Sequence, residues 1–421
     1  MPTTLPLSEE ELAAWLSLAL ARGLRPAALR ALLGAFGLPQ NVLAQPFAAL
    51  AAVAGAQAAH AALAESRPDF AAQLDALQAW RAAPGNALIT LADPAYPARL
   101  LDMPDPPPLL YAMGRLELLH TRAVAVVGSR SATPQAVEDA MRFARTLAAS
   151  GLTVVSGLAL GVDGAAHRGA LHEQGGTVAV IGTGADLVYP PAHRPLAMEI
   201  AAHGALVSEW PLGTPARSAN FPQRNRVIAA LVEGVVVVEA AQRSGSLITA
   251  RLANEMGRDV FALPGSIHAP LTRGCHGLIK QGAQLVETPE EVLDALNVGP
   301  PPGAGRALAS PREPRRQKVS VPFDCIQRDD TSETPQLALA LPHPEPPPVP
   351  RTEAARKPPA SLGAEARRLL DALGHAPATV EILAQRTDMA EAVLQGTLLQ
   401  LELAGHLDAL PGGWFVRASR G

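Results

Sequence analysis

The run Phe221-Pro-Gln-Arg-Asn-Arg226 sets two guanidinium groups and an amide beside one aromatic ring. Ser244-Gly-Ser-Leu-Ile-Thr249 follows it across a short apolar run, Gly234-Val-Val-Val-Val-Glu239. Arginine forks and serine or threonine hydroxyls match phosphate oxygens. A ring beside them offers a face to a stacked base. The same residues also fit a solvated arginine cluster that opens a helix, so the neighbourhood decides between the two.

That neighbourhood is rich in small polar residues at the ends of apolar runs. The first run ends in Gly128-Ser-Arg-Ser-Ala-Thr133, the second in Ser156-Gly157, the third in Gly182-Thr-Gly184, and the fifth leads to Ser244, Gly245, Ser246 and Thr249. Glycine lets an anion approach the backbone, and the N-terminus of a following helix supplies free N–H groups. Four such loops converging on one edge make an anion site the favoured reading over four unrelated turns.

Other chemistries fit less well. Gly182-Thr-Gly184 lacks the third glycine of a dinucleotide fingerprint, and Pro190 and Pro191 interrupt the helix it should open, so a nicotinamide or flavin cofactor is disfavoured. No G-x-x-x-x-G-K-[ST] run is present, which excludes a P-loop ATPase. Asp163 and His167 stand four apart on an expected helix and could share a metal. Without a third ligand at a defined spacing, a helix cap at Asp163 or a hydrogen bond between the two is preferred. No Ser/His/Asp spacing is identifiable. Glu209 and Glu239 fit either acid–base work or, by preference, the ordering of nearby arginines. Cys275 has no evident activating partner, so a reactive thiol is disfavoured. The reading names no catalytic residue, no metal and no cofactor.

Elements must hold these loops in register. From residue 121 short apolar runs alternate with helix-length amphipathic stretches. Strands are expected at Ala123–Val127, Leu152–Val155, Thr177–Ile181, Ala205–Ser208, Val235–Glu239, Asp259–Leu263 and Gln284–Val286. Helices are expected at Gln135–Ala149, Val162–Gln174, Arg226–Val232 and Leu247–Met256. Valine-rich runs without alternation mark strands covered on both faces. The alternation gives an α/β fold, a doubly wound and mostly parallel sheet of Rossmann-like type.

The flanks differ in composition. Residues 1–80 read as short Ala/Leu helices broken at Gly23, Pro26, Gly37 and Pro39, an N-terminal helical, SAM-like or hairpin-like domain. Residues 81–298 form the sheet domain, led in by a proline-rich segment ending at Pro106-Pro-Pro-Leu-Leu-Tyr111. Residues 299–360 hold fifteen prolines and few large apolar residues, the composition of a linker. Residues 361–421 recover helical periodicity at Glu365–Leu373, Val380–Arg386 and Glu391–Ala404. They close on a two-stranded wing turning at Pro411-Gly412-Gly413, as in a C-terminal winged helix-turn-helix domain. Its third helix has no Lys or Arg between Asp388 and His406. Phosphate contact needs cations, so this domain is expected to dock a protein rather than read a duplex.

The whole chain sets bounds. Its 421 residues are 48% hydrophobic, enough for a sizeable core and two or three domains. Net charge is -4 and the pI about 6.3, so any nucleic-acid site is a local patch rather than a global field. Two cysteines, Cys275 and Cys325, support neither a disulfide framework nor a zinc site and fit a reducing cytoplasm. Glu9-Glu10-Glu11 has the wrong charge for a signal peptide. No run reaches ~18 strongly apolar residues, so a cytoplasmic, non-membrane protein is expected.

Residues 90–290 resemble the DNA-processing protein A (DprA, also called Smf) family. The resemblance rests on Tyr96-Pro97, Pro108-Leu-Leu-Tyr111, Val124-Ala-Val-Val-Gly-Ser-Arg130, Ser156-Gly-Leu-Ala159, Asp163 with Ala166-His167, Tyr189-Pro190 and Ser208-Glu209. It continues through Phe221-Pro-Gln-Arg-Asn-Arg226, Ser244-Gly-Ser-Leu-Ile-Thr249, Leu263-Pro-Gly265 and Leu278-Ile-Lys-Gln-Gly-Ala283. It implies a non-catalytic protein that binds single-stranded DNA without sequence preference. It also implies a homodimer that passes incoming strands to the RecA recombinase during natural transformation. Carried over by position, Ser129, Arg130, Arg224 and Arg226 would hold phosphate and Phe221 a base. Asn225 would brace the pocket, and Ser244, Gly245, Ser246 and Thr249 would line its floor. The chain departs from the family at Leu160, where many relatives carry arginine, and at His276-Gly277. The alternative is a Rossmann-like nucleotide phosphoribohydrolase, whose Pro-Gly-Gly-x-Gly-Thr signature is broken here at Pro264-Gly265-Ser266-Ile267-His268. A third reading is a scaffold that works through its terminal domains.

Overall fold

A computed structural model of the chain describes residues 7–65, 67–299, 363–373, 378–404, 406–410 and 414–417. The expected linker 299–360 and the wing turn at 411–413 lie outside the described residues, apart from Gly299. The described residues fall into two compact units.

In the first unit, six helices precede the sheet: α1 (Glu9–Leu20), α2 (Pro26–Phe36), α3 (Pro39–Leu43), α4 (Phe47–Ala54), α5 (Ala56–Ala62) and α6 (Phe70–Arg81). The acidic run Glu9-Glu10-Glu11 is the first turn of α1, where carboxylates complement the helix dipole. Ser8 caps that turn by accepting from the Glu11 N–H. Leu12, Trp15 and Leu16 lie on one helical face. They are buried with Leu88, Tyr111, Leu196 and Leu206 of the sheet domain. Leu18 faces the other way, into a cluster with Leu29, Leu32, Val42 and Leu50. Helix α1 thereby belongs to both cores, and the 1–80 segment packs directly on the sheet.

The sheet is nine-stranded. In chain order its elements are β1 (Asn86–Thr90), β2 (Leu109–Gly114), β3 (Ala123–Val127), α7 (Pro134–Ala149), β4 (Thr153–Ser156), α8 (Val162–Ala170), β5 (Thr177–Ile181), α9 (Arg194–His203) and β6 (Ala205–Ser208). There follow α10 (Asn220–Leu231), β7 (Gly234–Val237), α11 (Gly245–Glu255), β8 (Asp259–Ala262), α12 (Arg273–Lys280), β9 (Gln284–Leu285) and α13 (Pro289–Ala295). The spatial order is β1-β2-β6-β5-β4-β3-β7-β8-β9. The run from β6 to β9 is parallel throughout.

Two strands were not anticipated. The segment read as a proline-rich lead-in contributes β1 and β2, which pair with each other and with β6 in antiparallel sense. Its prolines stand before β1 or between the two strands, where they break no ladder bond. The central strands β3, β4, β5, β6 and β7 are buried at every position, as covering on both faces requires. On one side, α7 and α8 close over β3, β4, β7 and β8 around Phe143, Leu147 and Phe261.

Helix α10 also departs from expectation. It begins at Asn220, not at Arg226, because Pro222 lies in its first turn, where a missing N–H costs nothing. Phe221, Arg224, Asn225 and Arg226 therefore share one helix.

The second unit holds α14 (Ala364–Leu373), β10 (Ala378–Thr379), α15 (Val380–Thr387), α16 (Glu391–Leu403), β11 (Leu407–Leu410) and β12 (Trp414–Arg417). Its sheet order is β10-β12-β11, both pairs antiparallel. The three helices bury Leu369, Leu383, Leu394, Leu398 and Leu401 in one core, the winged-helix arrangement. Among the described residues of both units, no helix is long and apolar enough to cross a membrane.

Candidate functional site

Strand β3 sits mid-sheet. The chain leaves it for β4, β5 and β6 on one side and returns to β7 on the other. Ligands in open α/β sheets bind outside the carboxyl ends of strands at such a switch point. A cavity of about 460 Å³ opens there. The loop Gly128-Ser-Arg-Ser131 after β3 forms one wall, and Arg243, Ser244, Gly245 and Ser246 before and within α11 form another. Arg224 and Asn225 of α10 and Asp163 of α8 complete it.

Local bonds fix these walls to one another. Ser244 caps α11 by accepting from the Ser246 N–H. Ser246 Oγ donates to the Gly128 carbonyl at 2.6 Å, tying α11 to the end of β3. Asn225 Nδ2 donates to the Gly245 carbonyl at 3.2 Å, tying α10 to α11. Thr249, 1% exposed, lies one turn further along α11.

Arg224 is the deepest cation, 4% exposed. Its Nη1 donates to the Val180 carbonyl at 2.9 Å, while its buried Nε has no partner among the described residues. Burial pulls its pKa down to about 10, opposed by the carboxyl of Asp163, so it stays charged at neutral pH. A desolvated cation fixed by its scaffold is preorganised for an anion. Three arginines, 130, 224 and 243, line the cavity against the single carboxylate of Asp163.

Asp163 and His167 serve the loop after β4 rather than a metal, a helix cap or each other. Asp163 accepts from the backbone N–H of Gly157 at 3.1 Å and of Ala159 at 3.4 Å. His167 Nε2 accepts from the Leu158 N–H at 3.3 Å, so its proton sits on Nδ1, facing Thr177 Oγ1 at 2.8 Å. His193 Nδ1 donates to the Leu158 carbonyl at 2.9 Å. Leu158 is held at φ +58°, a left-handed conformation that a leucine adopts only when its surroundings dictate it. Burial pulls His167 down to about 3, helped by the charges of His193, Arg224 and Arg168, and keeps the ring neutral.

The remaining expected residues divide. Ser156 is buried away from the cavity, its Oγ donating to the Val126 carbonyl at 2.7 Å. Gly157 lies beneath the Arg224 guanidinium instead of lining the pocket. The Gly182 loop does not line the cavity either; it carries Phe221, packed against Gly182. The four loops therefore share one edge: those after β3 and β7 form the main walls, the loop after β4 adds Ala159, and the Gly182 loop takes no part.

Arg226 is not in this pocket. Two residues on an α-helix differ by about 200°, so Arg224 and Arg226 face opposite sides of α10. Arg226 is ion-paired with Glu209 and donates to the Asp105 carbonyl. Glu209 does order an arginine. Glu239 does not: it accepts from the Thr133 N–H at 3.0 Å and Oγ1 at 3.1 Å, closing the turn into α7. Cys275 is buried and its thiol is pushed up to about 12 by desolvation, which removes the thiolate.

Sequence reasoning missed Arg243 and Tyr189. Arg243 is exposed and lines the cavity just before the Ser-Gly-Ser cap. Its position directly before that cap was the available signal. Tyr189 lies beside Phe221, ring centroids 5.7 Å apart. The Arg130 guanidinium lies 5.2 Å from the Phe221 ring centre. Asn220 Nδ2 donates to the Gly182 carbonyl at 2.9 Å and so anchors the start of α10 beneath these rings. A cationic cavity continues through Arg130 into an aromatic surface, which suits a phosphate joined to a base.

Known proteins bear on the assignment. The family model described as DNA recombination-mediator protein A matches residues 87–297, and the DprA winged helix domain matches residues 353–413. The Escherichia coli protein Smf is 40% identical over 81% of this chain and 80% of its own length. The DNA processing protein DprA of Streptococcus pneumoniae is 47% identical over 48% of this chain and 72% of its own. The X-ray structure of the S. pneumoniae protein superposes with a TM-score of 0.58 at 36% identity, covering 69% of this chain and 98% of that one. The chain belongs to the DNA recombination-mediator protein A family.

Proposed function

We propose that this protein binds single-stranded DNA at the switch-point cavity, independently of base sequence, and acts as a mediator without catalysing a reaction. The observation that carries the reading is the continuity of Arg224, Arg243 and Arg130 with the Phe221–Tyr189 pair, in which Tyr189 is exposed. Cations that track phosphates beside aromatic platforms are the general solution for single strands, because every base has a π-face. The acidic net charge confines this attraction to the patch. Among the described cavity residues the one carboxylate, Asp163, is committed to loop N–H groups, which disfavours the hydrolase alternative.

The names of the relatives, a DNA processing protein and a recombination mediator, support transfer of the bound strand to the RecA recombinase. Transformation is the setting that the family resemblance supplies, and a homodimer would engage one strand through two pockets, raising avidity. Helix α16 bears no Lys or Arg and exposes Leu399, which favours protein docking at the winged helix over duplex contact. The test is RecA's DNA-dependent ATP hydrolysis on strands coated with single-strand-binding protein. This protein is expected to shorten the lag before hydrolysis. An unchanged lag despite tight strand binding would remove the loading role.

A further inference from the structure

We infer that Tyr189 is a second base-stacking residue, and that the bound strand runs along the carboxyl edge of the sheet from the cavity toward β5. The inference rests on the single-strand reading above and adds a direction and a residue to it.

The geometry is specific. The cavity lies at β3 and β7, whereas Phe221 packs against Gly182 at the end of β5. Strand β5 stands two spacings from β3, roughly 10 Å. Arg130 spans the gap: it lines the cavity and its guanidinium lies over the Phe221 ring. Tyr189 continues the line beyond Phe221, and its residue surface is 47% exposed.

The spacing decides what can bind. Slipping a base between the two rings would need about twice the ~3.4 Å stacking rise, near 7 Å. The observed 5.7 Å, with planes inclined at 43°, is too narrow. Bases therefore stack on the outer side of the pair, where Tyr189 is the exposed ring and Arg130 lies beside Phe221. Successive bases in a duplex, ~3.4 Å apart and parallel, cannot match two rings 5.7 Å apart and inclined at 43°. A single strand can splay its bases and occupy both. The Tyr189–Phe221 pair thus also selects single strands over duplex.

The experiment uses the full chain and a labelled oligo-dT. Tyr189→Ala is expected to weaken binding roughly 5- to 150-fold, the range for one lost stacked base. Tyr189→Phe is expected to bind within about twofold of wild type, because the π-face is kept. On an oligonucleotide of abasic residues, Tyr189→Ala and wild type should bind alike. Thermal melts report whether the variants fold. A measurement on the wild type covers the case where they do not: photocrosslinking of a 5-iododeoxyuridine oligonucleotide should map to Tyr189 as well as Phe221. Wild-type affinity in a folded Tyr189→Ala, or crosslinks at Phe221 without Tyr189, would overturn the inference. If Arg243→Ala still weakened binding in that case, the single-strand reading would survive it. A wild type that binds no oligo-dT would end both.

Discussion

The Arg224 guanidinium fills the space that a side chain at Gly157 would need: a Cβ there would lie 1.5 Å from Nη1. The loop beneath it is clamped by Asp163, His167 and His193, so neither partner is free to yield. Gly157→Ala should therefore displace Arg224. We expect a loss of about 1–3 kcal/mol of stability from overpacking, seen in urea denaturation. We also expect at least ~10-fold weaker binding to oligo-dT, the value of one charge-assisted phosphate contact. Native-like affinity in the folded variant would show that Arg224 does not touch the strand.

Arg243 is exposed, so its removal should leave stability unchanged within about 0.5 kcal/mol. Each phosphate contact on a single strand adds ~0.7 to the slope of log K against log salt. Arg243→Ala is expected to lower that slope by about that amount, equally for oligo-dT and mixed sequences. An unchanged slope in salt titrations would place Arg243 outside the interface.

Arg226 should behave in the opposite way. Its side chain is 14% exposed and that of Glu209 10%, and removing one partner of such a buried pair costs about 3–5 kcal/mol. Arg226→Ala is expected to show this loss in denaturant unfolding while the folded fraction keeps the wild-type salt slope. A lowered slope with unchanged stability would return Arg226 to the phosphate site.

His167 links folding to pH. Its folded pKa, about 3, lies below the ordinary histidine value of about 6.5. Between those values the unfolded chain binds more protons than the folded one, so stability rises with pH and is lost as pH falls from about 6.5 toward about 3. His167→Gln, which cannot gain a proton, should flatten that part of the stability profile. Equal steepness in both proteins, from urea midpoints between pH 7 and pH 4, would contradict the buried neutral ring.

The sheet was legible because valine-rich strands buried on both faces leave a pattern that little else produces, as at Val124–Val127 and Val235–Val238. Strands β1 and β2 were hidden because the prolines between them outweigh their short apolar runs. The two loops that wall the cavity were legible from Gly128-Ser-Arg130 and Ser244-Gly-Ser246, whose composition answers to the backbone. The division of labour along α10 was not. Reading Arg224 and Arg226 as one cluster ignored the turn between them, and that followed from starting the helix six residues late. Asp163 and His167 show the same limit: their spacing is that of a metal pair, yet both bind backbone N–H groups of residues 157–159, partners that sequence spacing does not reveal.

The most direct test of the central claim is fluorescence anisotropy of labelled oligo-dT, and of its duplex with oligo-dA, titrated with the full chain at two salt concentrations. The cationic cavity and its splayed rings should give tight, salt-sensitive binding to the single strand and weak binding to the duplex. Equal affinity for both, or no binding to either, would contradict the assignment of this cavity to single-stranded DNA.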